Sequence, residues 1–422
     1  MKILMFGWEF PPFSYGGLGT ACKGIVEGLT HHNVHLTLVL PKAISAQSQK
    51  LTIAQVDDLL KGEDLSKEDL IKIHNIDSAL SPYLNTETYL EYLEKTLKKS
   101  PGQKHQKTSA QTPYGKNLFE EIQNYASKAY TVGKNTPHDI IHSHDWLTTP
   151  AGAMAKKASG KPLVAHVHAT EFDRTGDNPN QLIYDVEREG MEAADHIIAV
   201  SNFTKQKIVE HYGISPDKIS VVHNAVNKEK SYVKLNPHIA KDDHVVLFLG
   251  RMTLQKGPEY FLQMAKRVLE KEPHTKFVMA GDGDMTHRMI ELSAKLGIAK
   301  NVLFSGYLSG PEIDRAYAHA DLYVMPSVSE PFGITPLEAI RNGTPVLISK
   351  QSGISEVIVN ALRVDFWDIE EMANKTLAVI RYKHLKDQLI SESQQELQRM
   401  SWQQQAANIR DVYHSLLLTP TA

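Results

Sequence analysis

The chain of 422 residues has a single cysteine, Cys22, so it holds no intrachain disulfide, which suits a reducing compartment. It lacks any stretch near the roughly 18 apolar residues of a membrane-spanning helix. The opening run Lys2–Phe6 is too short for a signal peptide and is soon broken by Pro11-Pro12. The cytoplasm is therefore the expected location. A net charge of -3 leaves no large excess of either sign, which argues against a general nucleic-acid binder. No short internal repeat is visible. What is present is ordinary for a globular protein, 41% hydrophobic and 23% charged residues, in a chain long enough for two domains.

Strands and helices alternate through both halves. Lys2 to Phe6 reads as a buried strand, followed by a glycine-bearing loop, an amphipathic helix from Ala21 to Leu29 and a strand from His35 to Leu40. Residues from about 43 to 116 are rich in Lys, Asp, Glu, Gln and Ser and lack a clear strand pattern. They read as a partly helical insertion, with 100–112 its most mobile part. Residues 139–146 read as a strand running into a loop, and further strands are expected at 162–168, 196–200 and 218–223. Periodicity is then lost over a polar stretch, 224–238, the expected linker. Alternation resumes with strands at 244–249, 276–280, 302–305, 322–325 and 345–348, and the chain is helical from Asp368 to its end. This spacing predicts an α/β fold of two doubly wound parallel sheets. The expected division is 1–228 with a terminal helix at 402–422, and 229–401.

The chemistry-bearing residues cluster at expected strand ends, where doubly wound sheets bind ligands. Glu330 and Glu338 stand eight residues apart around Pro-Phe-Gly-Ile-Thr, one before a helix start and one in its first turns. Free N–H groups at such a start suit polyol or phosphate oxygens. Arg251 and Lys256, five residues apart at another strand-to-helix junction, suit a diphosphate. Gly16, Gly17 and Gly19 permit close backbone approach, though the third glycine of a dinucleotide fingerprint is missing. Two His-x-His pairs, His142/His144 and His166/His168, each share one face of a strand, as a metal site would need. No Cys or acidic residue completes a recognisable ligand spacing, so the preferred reading is one functional histidine per pair at the strand end. His168 comes first, His144-Asp145 next. Asp282-Gly283-Asp284 ends a strand and reads as a plain turn rather than a metal motif.

Taken together, several separated motifs resemble those of retaining glycosyltransferases of the GT-B fold, family four, with a likeness to glycogen-synthase-like members. They are Gly16-Gly17-Leu18-Gly19, His144-Asp145-Trp146, His168-Ala169-Thr170-Glu171, Arg251 with Lys256, and Glu330 to Glu338. The resemblance spans nearly the whole chain. It implies two Rossmann-like domains facing across a cleft, with the C-terminal helix crossing back to the first. It further implies that Glu338 binds the ribose of a nucleotide, and that Glu330 with Phe332, Gly333 and Ile334 holds the transferred sugar. Arg251 and Lys256 would neutralise the diphosphate, which Gly17 approaches from the other domain. His168 would meet the sugar near its reacting carbon, and Tyr307 and Leu308 the base. Glu9, Tyr15, His144, Asp145 and Glu171 fall on the acceptor side.

On this reading the chain is a metal-independent hexosyltransferase without cofactor, moving a sugar, glucose favoured, from a UDP- or ADP-sugar to a glycan, an α-glucan favoured. Bacterial starch and glycogen synthases of the neighbouring family carry Lys before x-Gly-Gly, where this chain has Ser14, which leaves the donor base open. The alternatives are a glycosyltransferase of envelope polysaccharide or glycolipid, a nucleotide-sugar epimerase, and a non-catalytic binder. No nucleic-acid partner and no integral membrane segment are expected. Peripheral membrane contact is left open, although the lysine-bearing helix at 91–99 has too few apolar partners to argue for it.

Overall fold

A computed structural model of the chain describes residues 1–11, 16–41, 71–75, 118–227 and 243–418. Tyr15, the helix at 91–99, most of the expected insertion and linker, and the expected 228/229 boundary lie outside the described residues.

In chain order the first half comprises β1 (Lys2–Phe6), α1 (Gly17–His31), β2 (His35–Leu40), β3 (Ile71–Asn75), α2 (Leu118–Asn135), β4 (Ile140–His144), α3 (Thr149–Ser159), β5 (Leu163–Val167), α4 (Glu171–Thr175), α5 (Gln181–Ala193), β6 (His196–Ala199), α6 (Asn202–Tyr212) and β7 (Ile219–Val221). Its strands form a parallel sheet in the order β3-β2-β1-β4-β5-β6-β7. The second half comprises β8 (His244–Leu249), α7 (Pro258–Leu269), β9 (Thr275–Ala280), α8 (Thr286–Lys295), β10 (Val302–Gly306), α9 (Pro311–His319), β11 (Leu322–Met325), α10 (Ile334–Arg341), β12 (Val346–Ser349), β13 (Leu362–Val364), α11 (Ile369–Arg381), α12 (Lys383–Leu397) and α13 (Trp402–Leu418). Here the parallel order is β10-β9-β8-β11-β12-β13.

The strands are near-continuous apolar runs because helices cover both faces. Ile3, Leu4, Met5 and Phe6 are all buried, as are Leu163, Val164 and Ala165. Each large aliphatic chain so buried contributes about 1.5–3 kcal/mol relative to exposure. The second sheet builds its own core with Phe261, Leu262, Met264 and Val268 of α7.

The last helix crosses back to the first half. Leu397 and Met400 pack in the cluster of Leu337 and Ile340 in the second half, whereas Trp402, Ala406, Ile409 and Tyr413 belong to the core of the first. Spacings of four, three and four residues put those four side chains on one face. They dock on α1 at Gly24 and Gly28. A Cβ on Gly24 would stand 2.1 Å from Trp402 Cε2, and one on Gly28 2.5 Å from the Trp402 carbonyl oxygen. Only glycine lets the helices approach this closely.

The structure departs from the sequence expectation at short edge elements. The segment read as a strandless insertion contributes β3, in register with Leu36–Leu40 at the sheet edge. β13, three residues long, pairs only with β12. An edge strand needs few apolar residues, so neither leaves a strong pattern.

Candidate functional site

In both sheets the strand order reverses beside the first strand, between β1 and β4 and between β8 and β11. Loops at the carboxyl ends of strands diverge at such a point and leave a crevice. The two crevices face each other and form one cleft of about 840 Å³.

The second half supplies most of its wall. β8 ends at Leu249, and Gly250 N–H donates to Ala280 O at 2.9 Å, which turns the chain so that Arg251 borders the cleft. A single 3-10 turn, Leu254–Lys256, then brings Lys256 to the wall. Gly257 follows in the left-handed region, φ 63°, where a Cβ would strike the Pro326 carbonyl at 2.2 Å. That glycine packs the Lys256 turn against the loop after β11, which carries Glu330. As a result Lys256 Nζ donates to Glu330 Oε2 at 2.6 Å, and Ser327 Oγ to the same oxygen at 3.1 Å.

The Glu330 loop is also tied to the first half. Ser201 Oγ donates to the Pro331 carbonyl at 2.5 Å. Lys207 Nζ donates to Ser329 Oγ at 2.7 Å and to Asp173 Oδ1 at 2.8 Å. Burial works against the Asp173 charge, but Lys207 and Ser329 hold its carboxyl below the usual range. Gly333, at φ 103°, then starts α10, and Phe332, Gly333 and Ile334 line the cleft.

Glu338 lies one turn into α10 on the cleft wall, where Tyr317 OH donates to its Oε2 at 3.3 Å. Burial raises its pKa to about 7, opposed by Arg341 and Tyr317. The two glutamates do not pair: one is held by a lysine, the other by a tyrosine. Exposed Tyr307, with Leu308, forms the rim after β10. Asp282 accepts from Gly283 N–H at 2.8 Å and from Thr286 Oγ1 at 2.7 Å, which makes this segment a turn at the start of α8.

Across the cleft stand Gly17, Asp145 and His168. Asp145 adopts a left-handed conformation, φ 56°, unusual for a residue with a side chain. Its Oδ1 accepts from His168 N–H at 2.6 Å and Ala169 N–H at 3.3 Å, fixing the loop that presents His168. His168 Nε2 meets His144 Nδ1 at 2.9 Å. Burial lowers the His168 pKa, and Asp145 opposes the shift.

Three of the expected acceptor-side residues stand behind this wall. His144 is fully buried beneath His168, because it still points with the strand's inner face. Glu9 is buried at 2% exposure. Glu171 is likewise buried, because it opens α4 and turns back to accept from Arg174 Nη1 at 3.2 Å. A charged cleft residue that the sequence reading passed over is Arg174. It sits between Glu171 and Glu187 and donates to the Ala169 carbonyl at 3.3 Å, so it braces the same loop. Its place three residues after Glu171 in a capped turn was the available signal.

Two parallel-sheet crevices facing across one cleft, with cations and carboxylates at one and a histidine at the other, form the GT-B architecture. Comparison with known proteins gives the family. The model described as Glycosyltransferase Family 4 matches residues 102–230, and that described as Glycosyl transferases group 1 matches 234–396. The chain belongs to this family of glycosyltransferases and uses a nucleotide-sugar donor. A glycosyltransferase of Methanocaldococcus jannaschii is 28% identical over 433 residues, covering 98% of each chain. A D-inositol 3-phosphate glycosyltransferase of Nocardioides is 27% identical, over 72% of this chain and 73% of that one. A glycogen synthase of Mycobacterium tuberculosis is 26% identical, over 85% and 80%. Among solved structures, Anabaena HepE in complex with UDP and glucose has a TM-score of 0.68 at 18% identity, covering 98% of this chain and 100% of that one. No helix among the described residues is long and apolar enough to cross a membrane.

Proposed function

We propose that the protein is a retaining glucosyltransferase that extends an α-glucan from a UDP- or ADP-sugar, with no metal ion or cofactor required in the transfer step. The observation that carries this reading is the Lys256–Glu330 pair at the cleft wall, beside Arg251 and opposite His168. Glycosyl transfer builds positive charge on the sugar and negative charge on the leaving diphosphate. Arg251 and Lys256 are placed to take the second charge, which fixed cations stabilise without reorganisation. Glu330 holds Lys256 in place and turns its other oxygen to the sugar hydroxyls, with the backbone of Phe332, Gly333 and Ile334. Glu338 accepts from the ribose, Tyr307 and Leu308 receive the base, and Gly17 lets the opposite loop approach the phosphates.

His168 meets the sugar at its reacting carbon from the acceptor side. Among the described residues, Asp145 is the one carboxylate on the cleft wall beside it, and its Oδ1 is already engaged by two backbone N–H groups. It therefore positions His168 rather than acting as a nucleophile. Retention then follows from attack on the face the diphosphate leaves, with a phosphate oxygen taking the acceptor proton. In this scheme residues 1–228 with 402–422 receive the acceptor and 229–401 hold the donor.

The glucan acceptor is favoured by the glycogen synthase relative, and a uridine donor by the similarity to Anabaena HepE, solved with UDP and glucose bound. A phosphorylated polyol acceptor is the second reading, favoured by the inositol phosphate relative. Glu330→Ala is expected to lower turnover with donor affinity little changed, and Glu338→Gln to weaken donor binding with turnover little changed. The reverse pattern in steady-state kinetics would remove the assignment.

A further inference from the structure

Behind the cleft, four imidazoles stack inside the first sheet. His142 and His144 occupy alternate positions of β4, so they share one face, and His144 lies directly opposite His166 of β5. The ring centroids of His142, His144 and His166 are 4.5, 5.3 and 5.4 Å apart in pairs. All three are at most 1% exposed.

Their hydrogen bonding is incomplete in a particular way. His142 Nδ1 meets Tyr413 OH at 2.5 Å and His144 Nδ1 meets His168 Nε2 at 2.9 Å. Each of these two rings has one nitrogen engaged, while His142 Nε2, His144 Nε2 and both nitrogens of His166 have no partner among the described residues. Leaving buried polar atoms unpaired costs on the order of 1–3 kcal/mol each, and four in one pocket is unusual. An imidazole whose Nδ1–H is held by a neighbour, with a bare Nε2, is the form in which histidine binds metals.

One ring nitrogen from each of the three lies within 4.8 Å of the others. Nitrogen ligands on a tetrahedral zinc ion stand about 3.4 Å apart, so rotations of about an ångström close the set.

We propose that His142, His144 and His166 bind a divalent transition-metal ion of zinc type. Imidazole nitrogens select such ions over magnesium or calcium. The ion pins β4 to β5 and, through the bond from His142 to Tyr413, fastens α13 onto the first sheet. It stands behind His168 and takes no part in sugar transfer, so the inference is independent of the donor and acceptor proposed above.

The test is direct metal binding by the full chain. Protein stripped with a chelator is titrated with zinc against a chromophoric competitor, and melting is followed at each addition. The expected result is about one tight site per chain and a rise in melting temperature. His166→Gln should abolish the site. Tyr413→Phe, which keeps the packing, should weaken it by about 10–100-fold through loss of the bond that orients His142. Absence of a tight site in the folded, stripped wild-type protein overturns the proposal. So does a site that survives in Tyr413→Phe at full strength, or one lost in Cys22→Ser but retained in His166→Gln, which would move the ion to Cys22, His144 and His168.

Discussion

Replacing Lys256 by methionine separates two roles that the structure joins in one ammonium group. In the protein it donates to Glu330 Oε2 at 2.6 Å; in the proposed reaction it faces the leaving diphosphate. A unit charge about 4 Å from a developing negative charge, at an effective dielectric near 20, contributes roughly 4 kcal/mol. Only part of that charge develops in the transition state, so the expected loss is about 2.7–4 kcal/mol, or about 10²–10³ in kcat. The same change leaves Glu330, 6% exposed, with Ser327 as its remaining named partner, at 3.1 Å, and lowers stability by on the order of 1–3 kcal/mol. The double variant Lys256→Met/Glu330→Gln removes the orphaned charge and should recover stability without recovering turnover. Release of nucleoside diphosphate and thermal melting are measured on all three proteins. A single variant within about threefold of wild-type turnover would mean that Lys256 does not stabilise the leaving group. So would a double variant in which turnover returns together with stability, because the lysine would then serve only its neighbour.

Three further outcomes follow from the same geometry. Glu338 has its pKa raised by burial to about 7 from an ordinary 4.5. The stability it contributes is therefore complete below about 4.5, falls as pH rises toward 7, and is gone above it, at most about 3 kcal/mol in all. Glu338→Gln should flatten that part of the melting–pH curve, and wild-type donor affinity should fall as the carboxylate protonates below about 7; curves of equal slope would count against the assignment. Asp145→Ala should cost about 1–3 kcal/mol and lower kcat, because two N–H groups of the His168 loop lose their acceptor; Asp145→Asn should restore part of both, and melting with kinetics checks this. Gly24→Ala should destabilise by roughly 1–3 kcal/mol, since its Cβ falls inside the Trp402 ring, and should expose the chain before α13 to protease; an unchanged melting point would mean that the helix does not dock there.

Much of this arrangement was legible in the chain itself, for reasons that can be named. Buried parallel strands such as Lys2–Phe6 and His244–Leu249 must be apolar runs, and loops at their ends must carry ligand-facing residues, so Arg251, Lys256, Glu330 and His168 stood out by position. Short edge strands stayed hidden because β13 offers only Leu362 and Val364 around an arginine. Long-range pairings were also invisible: nothing near Lys256 in the sequence indicates that its ammonium pairs with Glu330, 74 residues further on. The same holds for the histidines. Local spacing put His142 with His144 and His166 with His168, but only the cross-strand register brought His144 against His166, and only the packing of α1 on the sheet brought Cys22 close to both His144 and His168.

The central claim is tested most directly by incubating the wild-type protein separately with UDP-glucose, ADP-glucose and GDP-mannose, each with maltooligosaccharide, and reading the products by proton NMR. The expected result is release of UDP or ADP in step with new α-linked glucosyl units on the maltooligosaccharide. A β-linked product, or nucleoside diphosphate release from none of the three donors, would contradict it.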